Sequence, residues 1–158
     1  LAVGGHSFGS YTTYSLLVQT DRFKAAITSA HLDPNVLSVY LRMSPSSGEG
    51  SWIGYIEKGQ GGMGGDPWTY PERFHKNSPV HKLDRVKTPW LMGQGSEDND
   101  MAGSDALFVA LKRLGKEVEY RVYEGEGHVI SSPINVIDWW QRRLEFLREH
   151  LGLEGVAP

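Results

Sequence analysis

With 158 residues, 39% of them hydrophobic and 22% charged, the chain is long enough to bury a real core, suits one domain and is not a disordered segment. It has no cysteine, which excludes disulfides, thiolate metal sites and a cysteine nucleophile. A net charge of −3 gives no electrostatic reason to expect DNA, RNA or an anionic membrane as partner, and no apolar run reaches the length of a membrane span.

The first residues, Leu1-Ala2-Val3, read as a short buried strand. Gly5-His6-Ser7-Phe8-Gly9 follows and matches the G-x-S-x-G nucleophile elbow, in which a sharp strand-to-helix turn presents a serine hydroxyl. Tyr11 to Gln19 then reads as a helix, and Ala25 to Ala30, small and β-branched, as a buried parallel strand, completing a βαβ unit. The pentapeptide alone is weak, and the plainer alternative is that Ser7 is an ordinary cap at a strand-to-helix junction.

The segment from about 31 to 84 reads as an insertion of loops and short helices, rich in glycine and proline. Val36–Met43 and Trp52–Lys58 are candidate helices, and Gln60–Gly65 reads as a mobile loop. That loop lacks the lysine and hydroxyl residue of a phosphate-binding loop. Long loops inside a compact domain usually carry function, so Trp52, Tyr55 and Trp68 are candidate walls of a substrate pocket, against the plainer reading that they pack the insertion onto the sheet.

Pro89 to Gln94 reads as the next buried strand, followed by the acidic turn Gly95-Ser96-Glu97-Asp98-Asn99-Asp100. Ser104 is expected to cap a helix running to Leu114, with Gly115 closing it. Val118 to Tyr123 alternates apolar and charged residues, as expected of a half-exposed strand near a sheet edge. After the loop Glu124-Gly125-Glu126-Gly127-His128, Ser132-Pro133 starts a last helix. Its stripe of Ile137, Trp140, Leu144, Leu147 and Leu151 is expected to pack into the core.

Alternating strands and helices predict an α/β fold with a mostly parallel sheet, where functional groups gather at the carboxyl ends of strands. Ser7, the acidic turn and His128 all fall at such ends, in the chain order Ser, Asp, His that distinguishes the α/β-hydrolase arrangement from other serine hydrolases. Within it, His128 would act as base, a carboxylate would fix its tautomer, and the Phe8 backbone N–H would give one oxyanion donor. Spacing alone leaves Glu97 and Asp100 as rivals to Asp98 for the acid. It also leaves His6, His31, His75, His81 and His150 as rivals to His128. No histidine pair has zincin spacing, so no metal and no cofactor is expected.

These motifs, with Arg22-Phe23-Lys24-Ala25-Ala26-Ile27, Asp66-Pro67-Trp68, Ser78-Pro79 and Thr88-Pro89-Trp90-Leu91-Met92, give a resemblance over nearly the whole sequence. The chain resembles the C-terminal part of the catalytic domain of the prolyl oligopeptidase family of serine peptidases. Matching Gly95-Ser96-Glu97-Asp98 to the family's Gly-x-x-Asp motif implies Asp98 as the acid, Ser7 as nucleophile and His128 as base. Two departures stand out: Ser10 where the family often has a second glycine, and Gln94 where a histidine is usual.

The resemblance implies cleavage of a peptide substrate through an acyl-enzyme. It further implies that earlier strands, the second oxyanion donor and a β-propeller lie outside these 158 residues. The expectation is therefore a partial α/β-hydrolase fold with N-terminal strands missing, partnered by the rest of its parent protein and inactive or feeble alone. Two other readings remain open: a carboxylesterase on the same triad, and a non-catalytic structural or binding domain.

Overall fold

A computed structural model describes residues 1–42 and 51–153, with backbone only at positions 51 and 52. Its centre is a four-stranded sheet of β1 (Ala2–His6), β2 (Ala25–Ser29), β3 (Trp90–Gly95) and β4 (Val118–Tyr123), in the order β1-β2-β3-β4. Every pairing is parallel, with His6 opposite Ser29, Ser29 opposite Gly93 and Gly95 opposite Tyr123. Among the described residues β1 and β4 are the edges. The central β3 is buried along its whole length; β4 alternates only from Val118 to Arg121, since Val122 is exposed and Tyr123 is buried on the α6 side.

Helices cover both faces. On one, α1 (Phe8–Leu17) and α5 (Met101–Arg113) bury Tyr14, Leu17, Leu107 and Leu111 against Ala26, Trp90 and Met92. On the other, α6 (Pro133–Leu151) packs Trp139 and Phe146 against Ala25, Ile27, Leu91 and Tyr123. The helices α2 (Val36–Arg42), α3 (Ser51–Glu57) and α4 (Pro71–Lys76), followed by a 3-10 helix at Pro79–Arg85, form the insertion. They enclose a core of their own: Val36, Val39, Tyr40, Ile56, Met63 and Phe74.

Three local expectations change. Ser104 is not a cap: α5 starts at Met101 with Asp100 as N-cap, and Ser104 lies buried in its second turn. Residues 60–65 do not hang free of the insertion. The N–H groups of Gly61, Met63 and Gly64 donate to the carbonyls of Tyr55, Ile56 and Glu57, and Met63 inserts into the core. The apolar stripe of α6 is also rotated from the expected one. Ile137, Trp140 and Leu144 are 59%, 52% and 42% exposed, whereas Trp139 is buried. The cause is Gly93, where a Cβ would come within 2.8 Å of the Trp139 ring, so a bare patch of β3 receives the indole. Replacing Trp139 by alanine should cost about 3–5 kcal/mol of stability, measured by urea unfolding.

Candidate active site

The elbow begins where β1 ends. Ser7 has φ 58° and ψ −121°, a region that non-glycine residues rarely adopt and that costs roughly 1–3 kcal/mol. Three hydrogen bonds hold it there. Ser7 N–H donates to the Ser29 carbonyl at 3.0 Å, and the Ser7 carbonyl accepts from Ser10 N–H and Tyr11 N–H at 2.9 and 3.3 Å. A Cβ at Gly5 would collide with the Gly9 backbone, which is why the motif needs glycine there. Ser10 is fully buried and its hydroxyl donates to the Ser29 carbonyl at 2.6 Å, tying α1 to β2. Phe8 opens α1, so its N–H belongs to the helix N-terminus beside the serine.

Asp98 follows β3 in a turn closed by its own N–H donating to the Gly95 carbonyl at 3.2 Å. The histidine loop presses against that turn: a Cβ at Gly95 would collide with the carbonyls of Glu126 and Gly127. Glu97 N–H donates to the Glu126 carbonyl at 2.9 Å, joining the two loops. The Glu126 carboxylate accepts from the N–H groups of Ser131 and Ser132 at 2.8 and 3.0 Å and from the Asn135 amide at 2.8 Å. These bonds, the Ser131 N–H first, hold its carboxyl below the usual carboxylate range. The loop carrying His128 is thereby fastened to the start of α6.

The three chain-distant groups meet. His128 Nε2 lies 2.9 Å from Ser7 Oγ, and His128 Nδ1 lies 3.1 and 3.2 Å from the two Asp98 oxygens. The Asp98 side chain is 5% exposed and that of His128 49%, so the acid is enclosed and the imidazole edge faces solvent. A carboxylate on Nδ1 leaves Nε2 as the acceptor for the serine proton.

The rivals go elsewhere. Glu97 points to solvent. Asp100 is buried against Arg42 at 3.0 Å and accepts Asp33 N–H at 2.7 Å. His75 and His81 stack on each other at the surface, with ring centroids 4.3 Å apart. His150 packs on Phe146. His6 does not bond Ser7; its Nδ1 meets Ser29 Oγ at 3.0 Å and its ring lies edge-on to His128, centroids 5.0 Å apart. Partial burial, then the proximity of His128, pushes its pKa down. His31 is buried beneath the site, where desolvation holds it at about 4 despite its bond to Gln94.

Of the pocket candidates, Tyr55 stands edge-on to Phe8, ring centroids 6.1 Å apart. Both line an apolar cleft with Tyr11, Leu32, Val39 and Met63. Trp68 is 75% exposed against Tyr40 and does not line this cleft. Trp52 falls in α3, but its side chain lies outside the described residues. Sequence reasoning missed Glu126 and gave Gln94 no role. Glu126 gave no signal beyond lying two residues before His128, and Gln94 stood out only as a departure from the histidine usual at its position. Among the described residues no three His, Asp or Glu side chains gather to hold a metal, and no helix is long and apolar enough to cross a membrane.

A model of the prolyl oligopeptidase family matches residues 1–154. A dipeptidyl aminopeptidase BIII from Pseudoxanthomonas mexicana is 30% identical over 140 residues, covering 85% of this chain and 19% of that relative. The structure of an acylaminoacyl peptidase from Pyrococcus horikoshii superposes with a TM-score of 0.80 at 26% identity, covering 99% of this chain and 25% of that one. A puromycin-hydrolyzing peptidase from Mycobacterium tuberculosis gives a TM-score of 0.81 at 25% identity, covering 96% and 22%. The sheet is thus part of an α/β-hydrolase fold, and the chain spans only about a fifth to a quarter of the length of these relatives.

The buried His31 makes stability depend on pH. Its folded pKa of about 4 lies below the ordinary 6.5, so between those values the unfolded chain binds the extra proton. This contribution is intact above pH 6.5 and is lost as pH falls toward 4, by roughly 3 kcal/mol in all. Urea midpoints measured across that window should fall with pH, and His31→Asn should flatten the slope.

Proposed function

Because the chain belongs to the prolyl oligopeptidase family of serine peptidases, we propose that it hydrolyses peptide bonds, with Ser7 as nucleophile, His128 as base and Asp98 as acid. One observation carries the reading: a single imidazole bridges a strained serine hydroxyl at 2.9 Å and a buried carboxylate at 3.1 Å. In this mechanism Ser7 Oγ attacks the scissile carbonyl carbon and passes its proton to His128 Nε2. Asp98 stabilises the imidazolium that forms, and the Phe8 N–H donates to the carbonyl oxygen as it becomes an oxyanion. His128 then protonates the departing amine, and water, deprotonated by the same nitrogen, releases the acyl group from Ser7.

The cleft beside Phe8 fits an apolar side chain on the acyl side of the bond. Its walls include Phe8, Tyr11, Leu32, Val39, Tyr55 and Met63, with Asp33 as a charged member, and Phe8 is the residue that follows Ser7 in the chain. The second partner in this reading is the remainder of a longer parent protein. The reading is supported by the share of its relatives that the chain covers, and by Ile134, Ile137 and Trp140 standing exposed along α6.

A fluorophosphonate probe should label the intact protein, and Ser7→Ala should abolish the labelling. His128→Gln should lower kcat on an apolar aminoacyl-arylamide by a factor on the order of 10⁴ or more. Hydrolysis of short acyl esters with none of the arylamide would replace the peptidase reading with an esterase. An unlabelled parent protein would favour a binding domain. Val39→Trp, which fills the cleft, should lower kcat/KM for bulky apolar residues by roughly 10-fold or more while sparing a glycyl substrate.

A further inference from the structure

Beneath the acid lies a line of buried polar side chains that a simple triad does not need. Trp90 Nε1 donates to Thr28 Oγ1 at 2.6 Å, and Thr28 Oγ1 meets His31 Nε2 at 2.6 Å. Gln94 Oε1 accepts the His31 backbone N–H at 3.0 Å and faces His31 Nδ1 at 3.1 Å. Gln94 Nε2 donates to Asp98 Oδ2 at 2.8 Å. Trp90, Thr28, His31 and Gln94 are each 1% exposed or less.

The direction of every bond follows from donor and acceptor chemistry. The backbone N–H of His31 can only donate, so the Gln94 oxygen must face it and the Gln94 amide must face Asp98. His31 Nδ1 then carries the proton toward that oxygen, which leaves Nε2 as acceptor for the Thr28 hydroxyl. The indole N–H of Trp90 can only donate, and it does so to a lone pair of the same Thr28 oxygen. No other assignment leaves all of these groups satisfied, and an unmade bond is costly in so dry a place. The backbone agrees: Ala30, just before His31, is held at φ 53°, one of two non-glycine residues with positive φ among the described residues, and the other is Ser7.

We propose that Gln94 is a positioning residue for the hydrolytic site, fixing the rotamer of the Asp98 carboxylate against His128 through an amide that the buried His31 backbone and ring lock in one orientation. Asp98 has two oxygens. The Asn99 N–H donates to Oδ1 at 2.7 Å from the turn, the Gln94 amide pins Oδ2 from the core side, and both oxygens lie at 3.1 and 3.2 Å from His128 Nδ1. The proposal rests on the triad reading for its effect on rate, but the geometry it describes can be tested separately.

Two variants separate the bonds. Gln94→Met removes both polar ends at similar volume. Gln94→Glu keeps an acceptor for His31 but turns the donor facing Asp98 into a second carboxylate. The first readout is the far-downfield proton of His128 Nδ1–H in NMR, assigned by its disappearance in His128→Gln. It should be present in wild type and in Ser7→Ala, and lost or shifted upfield in both Gln94 variants. The second readout is turnover: kcat should fall on the order of 10- to 100-fold in Gln94→Met with KM within about twofold, since only the base and its partner are disturbed. An unchanged downfield proton in a folded Gln94→Met protein overturns the proposal. If Gln94→Met does not fold, an unchanged proton in Gln94→Glu overturns it equally. Absence of fluorophosphonate labelling in wild type would remove the triad reading, while the NMR comparison would still decide the role of Gln94.

Discussion

Parallel pairing of four strands in sequence order is the constraint on which everything else rests. It forces every strand to point the same way, so the chain leaves β1, β2, β3 and β4 along one rim. Ser7, the His31 turn, Asp98 and His128 are the residues found just past those exits. Residues as far apart as 7 and 128 therefore meet at 2.9 Å without any unusual path of the chain. Each strand is short, only five or six residues, so the rim is close to the core and a buried network can reach the surface.

The rim is stiffened by different means at each exit. At β1 the strained Ser7 is bonded to the Ser29 carbonyl, with Gly5 allowing α1 to approach. At β3, Gly95 lets the histidine loop press against the acid turn. After β4, the Glu126 carboxylate gathers the N–H groups at the entry to α6 and so holds the loop that ends in His128. Backbone close approach does much of this, and a close approach is possible only where no side chain stands. The glycines of the two motifs are structural preconditions of the hydrogen bonds beside them.

The insertion contributes differently. Its small core of Val36, Val39, Tyr40, Ile56, Met63 and Phe74 is separate from the cores flanking the sheet. One of its walls, Tyr55, reaches Phe8, so the apolar cleft is shared between the elbow and the insertion. The sheet unit and the insertion thus pack as distinct clusters that meet along α1, where Phe8 faces Tyr55 and the Tyr11 and Tyr14 hydroxyls donate to the Asn77 and Leu32 carbonyls.

Sequence alone determined the fold class and the order of its strands and main helices, because hydrophobic periodicity and glycine or proline punctuation are local signals. It also determined the family, and it narrowed the chemistry to serine, carboxylate and histidine at three strand ends. The motif match already implied Asp98 and His128, but spacing alone left rivals, and only tertiary structure brings His128 to Ser7 and Asp98 to His128. Glu97, Asp98 and Asp100 are near-neighbours in sequence, and only the turn after β3 sends one outward, one inward and one toward Arg42. The same holds for α6, whose buried face could be read one residue wrong until Gly93 showed where an indole fits. Gln94 and His31 were illegible as a pair, since nothing local links residues 63 apart. Their meaning is a matter of which donor faces which acceptor, and that exists only once the strands are side by side.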